Sequence, residues 1–241
     1  MSKTLPVIIL AGGLATRLGE IAKETPKAML EVAGKPFIAH QLSLLSGAGV
    51  KEVVLCVSHL SHQIENFVGD GSQFDLAVRY AHDGTVRLGT GGSVKKALEL
   101  VSDPFAVLYG DTYLDIKYAP LFKTFKEAGK EGLMTVLLNE DRWDKSNVLH
   151  HDGKIIAYNK LQPTAQMKHI DYGLSVFHKS CFDAYPENTG FDLADVFERL
   201  IDQDQLAGYE VTQRFYDIGT QEALAETDKY LRTRSSGRTR R

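Results

Sequence analysis

The sequence predicts an α/β fold in which a mostly parallel sheet is covered by helices on both faces. Short, continuous apolar runs suit strands that are buried on both faces, and helical periodicities alternate with them along the chain. The 241 residues are 43% hydrophobic and 24% charged, an ordinary globular composition that allows a substantial core. We therefore expect a single domain, with ligands at the carboxyl ends of the strands.

The first half of the chain carries the regular alternation of strands and helices. The predicted strands there are Val7–Leu10, Lys51–Ser58, Leu76–Ala81 and Phe105–Leu108. The predicted helices are Pro36–Gly47, Ser61–Phe67 and Gly91–Leu100, with glycine or proline close to their ends. Such an order predicts parallel strands joined by crossover helices.

The second half of the chain is less regular. The predicted strands are Leu133–Leu138, Asn147–His150, Lys154–Tyr158 and Tyr172–His178, and the predicted helices are Phe191–Ile201 and Thr220–Leu231. Asp152-Gly153 between two of these strands predicts a hairpin turn. The tail at 232–241 is rich in arginine, with serine and glycine, and we expect it to be disordered.

Charge and composition exclude several classes of partner. A net charge of −3 argues against general nucleic-acid binding. Cys56 and Cys181 are the only cysteines, and we expect both to be core thiols in a reducing compartment. No signal-peptide pattern and no run of about 20 apolar residues occurs. We therefore expect a cytoplasmic protein with neither a nucleic-acid nor a membrane partner.

A phosphate-binding loop is predicted directly after the first strand. Gly12 and Gly13 let the backbone turn tightly and approach a ligand closely. Free backbone N–H groups in such a turn suit phosphate oxygens. Arg17 adds a bidentate cation, and Lys27 adds a second, point-like one. The segment therefore indicates a site for a polyphosphate.

Two familiar phosphate-binding motifs do not fit this segment. The dinucleotide fingerprint needs G-x-G-x-x-G, and here Gly12-Gly13 is followed by Leu14-Ala15-Thr16-Arg17. The P-loop pattern G-x-x-x-x-G-K-[ST] matches no stretch of the chain. A nicotinamide-dependent oxidoreductase is therefore the least favoured of the functions that we consider.

The segment resembles instead the signature of the sugar-1-phosphate nucleotidyltransferases, L-A-G-G-x-G-T-R-L followed by P-K-P-[ML]. The matching residues are Leu10, Ala11, Gly12, Gly13, Thr16, Arg17, Leu18, Pro26, Lys27 and Met29. Ala15 replaces a glycine of the signature and Ala28 a proline, while both cations are retained. The resemblance implies a Rossmann-like (GT-A type) mixed sheet with a small β-rich sugar-binding lobe. It divides residues 1–231 into a nucleotide-binding half, about 1–130, and a sugar-binding half, about 131–231.

The resemblance also assigns roles to individual residues. It implies catalytic roles for Arg17 and Lys27, and nucleotide contacts for Leu10, Ala11, Gly12 and Gly13. A second glycine turn, 88–92, precedes a predicted helix whose N-terminus is slightly positive. In the family a turn of this kind lies against the nucleotide base, which implies nucleotide contacts for Gly89 and Thr90. Taken alone, the turn equally suits an ordinary strand–helix connection.

Two aspartates at element boundaries carry the metal prediction. Asp111 follows a buried strand, and Asp217 precedes Ile218-Gly219-Thr220 near a predicted helix start. Each by itself suits a turn or cap residue. Together they resemble the two family motifs that hold the divalent metal, and Mg²⁺ prefers one or two carboxylates together with phosphate oxygens and water. The resemblance therefore implies Mg²⁺ on Asp111 and Asp217, with Asp111 also near the nucleotide.

Four residues of the second half are expected at the sugar phosphate. The family commonly has a Glu-Lys pair at one position and Asn-x-Gly at another, contacting sugar hydroxyls and phosphate. Here Asn159-Lys160 and Asp171-Tyr172-Gly173 stand at those positions. The resemblance thus implies sugar-phosphate contacts for Asn159, Lys160, Asp171 and Gly173. The changed residues concern the choice of sugar more than the reaction.

The expected activity is condensation of a sugar 1-phosphate with a nucleoside triphosphate, which releases pyrophosphate. Within the family the pattern is most similar to the D-glycero-α-D-manno-heptose 1-phosphate guanylyltransferases, which favours GTP, the heptose and a role in surface polysaccharide synthesis. Guanylyl- or uridylyltransferases of mannose, muramic acid or glucose 1-phosphates stay open, as does an inactive sugar-nucleotide sensor. A sensor would be expected to lack Lys27 or one of the two aspartates, and all three are present. We expect a monomer or a homodimer.

Overall fold

The computed structural model describes residues 4–13, 24–84 and 87–238, with side chains up to Arg234. The strands in this part of the chain are β1 Val7–Leu10, β2 Glu31–Val32, β3 Lys35–Pro36, β4 Glu52–Val57, β5 Ala77–His82, β6 Phe105–Tyr109, β7 Thr112–Tyr113, β8 Gly132–Leu138, β9 Val148–His151, β10 Lys154–Tyr158, β11 His169–Phe177, β12 Leu206–Val211 and β13 Tyr216–Asp217. The α-helices are α1 Phe37–Gly47, α2 Ser61–Val68, α3 Gly89–Ala97, α4 Tyr118–Ala128, α5 Leu193–Asp202 and α6 Gln221–Arg238. None of the helices described combines the length and the apolar character that crossing a bilayer requires.

Nine of the described strands form one mixed sheet in the order β5-β4-β1-β6-β11-β8-β12-β10-β9. The first four run parallel to one another, as the alternation of strands and helices predicts. β11 then runs antiparallel to both β6 and β8, and β12 lies parallel to β8. The predicted α/β class with a central mixed sheet is confirmed, and its parallel part comprises the first four strands and the β8–β12 pair.

The last five strands in that order form a small barrel, made of β8, β9, β10, β11 and β12. β9 pairs with β10 on one side and contacts β11 on the other through Val148 and His169. The hairpin between β9 and β10 is confirmed, because Lys154 pairs with His151. Asp152 and Gly153 both have positive φ, 48° and 76°, as a two-residue primed turn requires.

Helices cover both faces of the sheet. α1, α2 and α4 pack against one face and α3 and α5 against the other, each with its own hydrophobic core. β1 shows why both faces need cover, because Val7 and Ile9 belong to one core and Ile8 to the other. All three side chains are fully buried. A continuous apolar run therefore does form a strand buried on both faces.

A two-stranded ribbon joins two segments that are far apart in the sequence. Tyr216 of β13 pairs with Tyr113 of β7, and Asp217 pairs with Thr112. The N–H of Ile218 also donates to the carbonyl oxygen of Asp111 at 3.1 Å. The ribbon follows directly after β6, so it places residue 217 at the carboxyl end of the parallel strands.

The sequence prediction lacks α4 and β12, as well as the two-residue strands β2, β3, β7 and β13. α4 buries Tyr118, Leu121, Phe122 and Phe125, a spacing of i, i+3, i+4 and i+7 that is typical of an amphipathic helix. β12 contains a glycine and a glutamate within its six residues, so it lacks the apolar run on which the strand predictions depend. Its partner β8 supplies the pairing that the sequence pattern does not show.

The prediction that the chain is disordered from Arg232 is wrong for the backbone as far as Arg238, where α6 ends. Leu231 is buried at 4% exposure, which anchors the last turns. Arg232 pairs with Asp228 at 2.6 Å across one helical turn. Arg234 contacts the carboxylate of Asp115 and the hydroxyl of Tyr230. These side-chain contacts continue the helix into a segment whose composition predicts disorder.

Both cysteines are buried free thiols, as predicted. Burial raises the pKa of Cys181 to about 12. Burial also raises the pKa of Cys56 strongly, with a further contribution from the charge of Asp83. Thiols of this kind behave as small apolar core residues.

We predict that Gly110→Ala destabilises the fold, because the end of β6 lies very close to the end of β1 at this residue. A Cβ on Gly110 would lie 2.3 Å from the carbonyl oxygen of Leu10, whereas a Cβ on Gly47 in α1 would meet nothing within 4 Å. We expect Gly110→Ala to lower the free energy of unfolding by about 1–3 kcal/mol or more. Gly47→Ala should leave it unchanged or raise it by up to about 1 kcal/mol. Urea denaturation compares the two variants, and equal stabilities would contradict the close approach.

Candidate functional site

Three adjacent cavities form a cleft at the carboxyl ends of the parallel strands. The first cavity has a volume of about 800 Å³, the second about 380 Å³ and the third about 270 Å³. The third shares Leu10 and Gly13 with the first cavity and Lys27 and Asp111 with the second. It therefore lies between them, and Thr90 lines all three. Ligands of α/β sheets commonly bind at this edge.

Two glycine turns bound the first cavity. Gly12 and Gly13 follow β1, and Gly89 and Thr90 are the first residues of α3. The hydroxyl of Ser58 donates to the carbonyl oxygen of Gly12 at 2.8 Å. A Cβ on Gly12 would lie 3.0 Å from that hydroxyl oxygen, so glycine permits the close approach of the two loops. The helix begins two residues earlier than predicted and thereby brings its N-terminus to the cavity.

An acidic side chain that the sequence analysis missed, Asp83, also lines the first cavity. It follows β5, and its carboxylate accepts a hydrogen bond from the hydroxyl of Ser93 at 2.8 Å. Burial raises the pKa of Asp83, while the Ser93 hydrogen bond and the charge of Lys96 oppose this effect. Its position just after a parallel strand is the signal that could have identified it.

A lysine and two carboxylates occupy the middle of the cleft. Lys27 donates to Asp111 at 2.6 Å, and its side chain is only 14% exposed. Asp217 lies beside them on the β13–β7 ribbon and accepts a hydrogen bond from the N–H of Gly219 at 2.7 Å. Burial raises the pKa of Asp217, and the charge of Asp111 raises it further, against the opposing effect of Lys27. Two acids thus share one nearby cation.

The donor set of this cluster fits a magnesium ion. Carboxylate oxygens are the protein ligands that Mg²⁺ prefers, and it commonly takes one or two of them and completes its shell with phosphate and water. Asp111 and Asp217 offer these oxygens from adjacent backbone positions. Because the Asp111 charge raises the pKa of Asp217, a further cation there would relieve the repulsion between the two acids.

Asp171 is a partly buried carboxylate that lines the second cavity. Its carboxylate accepts hydrogen bonds from the hydroxyl of Tyr109 at 3.1 Å and from the N–H of Gly173 at 3.0 Å. Burial raises its pKa to about 6, against the lowering effect of these two hydrogen bonds. Gly173 has φ of +91°, and a Cβ there would lie 3.1 Å from the Tyr109 ring. Glycine is therefore needed for the turn that holds the carboxylate.

Lys160 is held by a second acidic residue that the sequence analysis missed. Its ammonium group lies 2.6 Å from a carboxylate oxygen of Asp192. Asp192 also caps α5 by accepting from the N–H of Ala194, and it accepts from the hydroxyl of Thr90 at 3.1 Å. The Asp192–Asp195 capping box was the available sequence signal. One carboxylate thus connects the second cavity to the glycine turn of the first.

Most of the predicted site residues line the cleft. Those that do are Leu10, Ala11, Gly12, Gly13, Lys27, Gly89, Thr90, Asp111, Lys160, Asp171, Gly173 and Asp217. The side-chain oxygen of Asn159 instead accepts from the N–H groups of Leu161 and Gln162, so it shapes its own loop, and its sugar contact stays a prediction. Arg17 and Ala15 lie outside the described residues.

Comparison with known proteins identifies the family. Residues 6–234 match the family model described as nucleotidyl transferase. This chain belongs to the nucleotidyl transferase family. The match covers both glycine turns, Asp111, Asp217 and the second cavity, so the family resemblance seen in the sequence is confirmed at that level.

The nucleotidyl transferase relatives differ in length. Mannose-1-phosphate guanylyltransferase catalytic subunit beta of Drosophila pseudoobscura pseudoobscura is 30% identical over 217 residues, which is 88% of this chain but only 58% of that protein. N-acetylmuramate alpha-1-phosphate uridylyltransferase of Neisseria meningitidis serogroup B is 28% identical, over 90% of this chain and 94% of that protein. A putative glucose-1-phosphate thymidylyltransferase from Bacillus anthracis, solved in complex with a sucrose, has the same fold with a TM-score of 0.84 and 20% identity, over 95% of this chain and 96% of that one.

We predict that Asp171 makes the stability of this nucleotidyl transferase chain depend on pH. Its pKa in the fold is about 6 against an ordinary value of 3.8, so the folded chain retains a proton that the unfolded chain has lost. Stability should therefore fall as pH rises from about 4 to about 6. Asp171→Asn removes this penalty. The free energy of unfolding of the variant minus that of the wild type should therefore be about 1–3 kcal/mol larger at pH 7 than at pH 4.

Urea denaturation between pH 4 and pH 7 measures this difference between the variant and the wild type. Asp152→Asn is the matched control, because the Asp152 side chain is 89% exposed at the hairpin turn. If the difference in free energy of unfolding between Asp171→Asn and the wild type is the same at pH 4 and pH 7, the prediction is contradicted.

Proposed function

We propose that this chain joins a sugar 1-phosphate to a nucleoside triphosphate and releases pyrophosphate, with GTP and a heptose 1-phosphate as the favoured pair. The observation that carries the proposal is the cluster of Lys27, Asp111 and Asp217 between two cavities. One cavity is bounded by glycine turns suited to a nucleotide, and the other is lined by Lys160 and Asp171. Family membership supports the reaction class.

The chemistry requires two phosphorylated substrates that repel each other to meet in line. A phosphate oxygen of the sugar phosphate attacks the α-phosphorus of the nucleotide, and the bond to the β-phosphate breaks as pyrophosphate leaves. Catalysis of this kind depends on positioning and on neutralising charge rather than on a covalent intermediate. A sugar phosphate is already an anion near neutral pH, so the attack needs no general base.

The phosphates of the nucleotide fit the first glycine turn and the central cluster. Backbone N–H groups around Gly12 and Gly13 suit phosphate oxygens, and the family signature gives Arg17 the β- and γ-phosphates. Lys27 is positioned at the junction of the cavities, where its ammonium group can neutralise charge that develops at the α-phosphate. Mg²⁺, when bound by Asp111 and Asp217, would supply further positive charge to the phosphates.

The sugar phosphate fits the second cavity. Lys160 offers a cation to its phosphate, and Asp192 holds that cation at the border with the nucleotide turn. Asp171 and Tyr109 offer hydrogen-bonding groups to sugar hydroxyls. The choice of the heptose rests on the sequence pattern of residues 88–92, 159–160 and 171–173. Mannose, muramic acid and glucose 1-phosphates are the alternatives, and surface polysaccharide synthesis and a cytoplasmic location stay predictions.

Asp83 supports GTP as the nucleotide. Guanine carries two adjacent donors, N1–H and N2–H, and one carboxylate can accept both in a bidentate, fork-like pair. Uracil and thymine carry a single N3–H donor between two carbonyl oxygens, which a carboxylate would repel. Asp83 lines the cavity that the second glycine turn bounds, and its fixed hydrogen bond from Ser93 orients the carboxylate.

An assay of pyrophosphate release tests the proposed function. It combines each of GTP, UTP, CTP, dTTP and ATP with a panel of sugar 1-phosphates that includes the heptose. We expect the highest kcat/KM for GTP with the heptose 1-phosphate. Asp83→Asn should lower kcat/KM for GTP by about 5- to 150-fold, the value of one bidentate base contact, with little change for UTP.

Each outcome of this panel has a distinct meaning. Preference for another nucleotide would refute the guanine assignment, and an unchanged GTP preference in Asp83→Asn would refute the proposed role of Asp83. Preference for another sugar would refute the heptose alone. Nucleotide binding without release for any pair would favour the inactive sensor. Asp202→Asn, an exposed carboxylate at the end of α5, is the matched control and should behave as wild type.

Loss of Lys27 should slow the reaction severely without unfolding the chain. Removal of one preorganised charge stabiliser typically lowers kcat by about 10²–10³-fold, and we expect this for Lys27→Ala. Asp111→Ala should be at least as severe, because it removes a proposed metal ligand. Lys35→Ala, at an exposed lysine of β3, is the control. Near-normal turnover of a folded Lys27→Ala variant would remove Lys27 from the mechanism.

A further inference from the structure

Two histidines and a glutamate meet at the small barrel, outside the cleft. His150 lies on β9, His169 on β11 and Glu210 on β12. Nδ1 of His150 is 3.8 Å from one carboxylate oxygen of Glu210, and Nε2 of His169 is 3.7 Å from the other. One ligand atom from each residue lies within 4.8 Å of the other two. Three separate strands thus converge on one point.

Hydrogen bonds do not account for this cluster. The two N–O separations are too long for hydrogen bonds. The side chain of His150 is only 7% exposed, so its imidazole is largely shielded from water. Its Nδ1 faces Glu210 and is the nitrogen available to a ligand there, whereas the buried Nε2 faces Gly208 on β12.

The neighbouring strand makes room for one of these imidazoles. A Cβ on Gly208 would lie 2.8 Å from Cδ2 and 3.0 Å from Nε2 of His150. Glycine within a strand weakens it and typically marks a place where another group comes close. Gly208 precedes Glu210 by two residues on β12, so both residues face the same side of the strand. On β12, Gly208 therefore leaves space for the imidazole of His150, and Glu210 places its carboxylate beside that ring.

We propose that His150, His169 and Glu210 bind a divalent transition-metal ion of the zinc class. Imidazole nitrogen with a carboxylate suits such an ion, whereas Mg²⁺ prefers oxygen ligands alone. In a tetrahedral site with bonds of 2.0–2.2 Å, ligand atoms lie about 3.3–3.6 Å apart. Each histidine nitrogen lies within a few tenths of an ångström of this distance from its own oxygen of Glu210, and one ligand atom from each of the three residues lies within 4.8 Å of the others. Because the Glu210 side chain is 44% exposed, water can complete the coordination.

The bound ion would join three strands of the small barrel. Since the unfolded chain does not hold the three ligands together, the ion would bind the folded state and stabilise it. This site is separate from the acids of the cleft and does not depend on the proposed function.

The test uses the whole chain, stripped of metals with a chelator and returned to buffer with excess Mg²⁺, which occupies oxygen-only sites. Zn²⁺ is then titrated by calorimetry and by thermal unfolding, and Co²⁺ serves as a visible-absorption probe of nitrogen ligation. His169→Gln and Glu210→Gln each remove one ligand at a partly exposed position. His151→Gln is the matched control, because that neighbouring histidine is 77% exposed and lies outside the cluster.

We expect one equivalent of Zn²⁺ with a rise in Tm, and a Co²⁺ absorption band in the wild type and in His151→Gln. His169→Gln and Glu210→Gln should each weaken Zn²⁺ binding by at least about tenfold. If one of them fails to fold, the other decides the result. The proposal would be overturned if the wild type binds no Zn²⁺ in the presence of excess Mg²⁺. It would also be overturned if a folded His169→Gln or Glu210→Gln variant binds Zn²⁺ as well as the wild type does.

Discussion

The cleft depends on the pairing of β13 with β7, because that short ribbon brings Asp217 next to Asp111. Two carboxylates in a partly buried place repel each other, and the raised pKa of Asp217 reflects burial and this repulsion. Lys27 offsets part of the negative charge through its 2.6 Å contact with Asp111. The fold therefore maintains an arrangement of charge that is unfavourable by itself and suited to cations and phosphates.

The surrounding structure arranges both cavities about this centre. The parallel strands end at one edge, so the turn after β1, Asp83 after β5 and Asp111 after β6 face the same cleft. On the other side, Asp192 contacts Lys160 and Thr90 together. That single residue couples the barrel half of the cleft to the glycine turn at α3. The geometry of the cleft thus depends on contacts between the two halves of the chain.

The sequence predicts those parts of the molecule whose signals are local. Apolar runs identify β1, β4 and β6, and the Asp152-Gly153 dipeptide identifies the hairpin. The resemblance to family motifs, rather than the pattern alone, indicates that the second glycine turn, Asp111 and Asp217 belong to one site. Asp192 is missed because its contacts with Lys160 and Thr90 join residues remote in sequence, as does the contact of Arg234 with Asp115 in the extension of α6. Asp83 is missed because its position after a strand does not by itself show that it lines a cavity. Closure of the barrel between β9 and β11 is likewise a tertiary pairing. β12, with Gly208 and Glu210 in its interior, lacks a local strand signal, and both residues lie beside His150 of another strand.

We propose that Asp111 and Asp217 hold the metal of a nucleotide complex. A crystal structure with Mn²⁺ and a non-hydrolysable GTP analogue tests this proposal, because anomalous scattering locates Mn²⁺ independently of the atomic coordinates. We predict an anomalous peak within bonding distance of both carboxylates, with the triphosphate between the first glycine turn and Lys27. Mn²⁺ bound to the nucleotide away from both aspartates would contradict the proposed metal site.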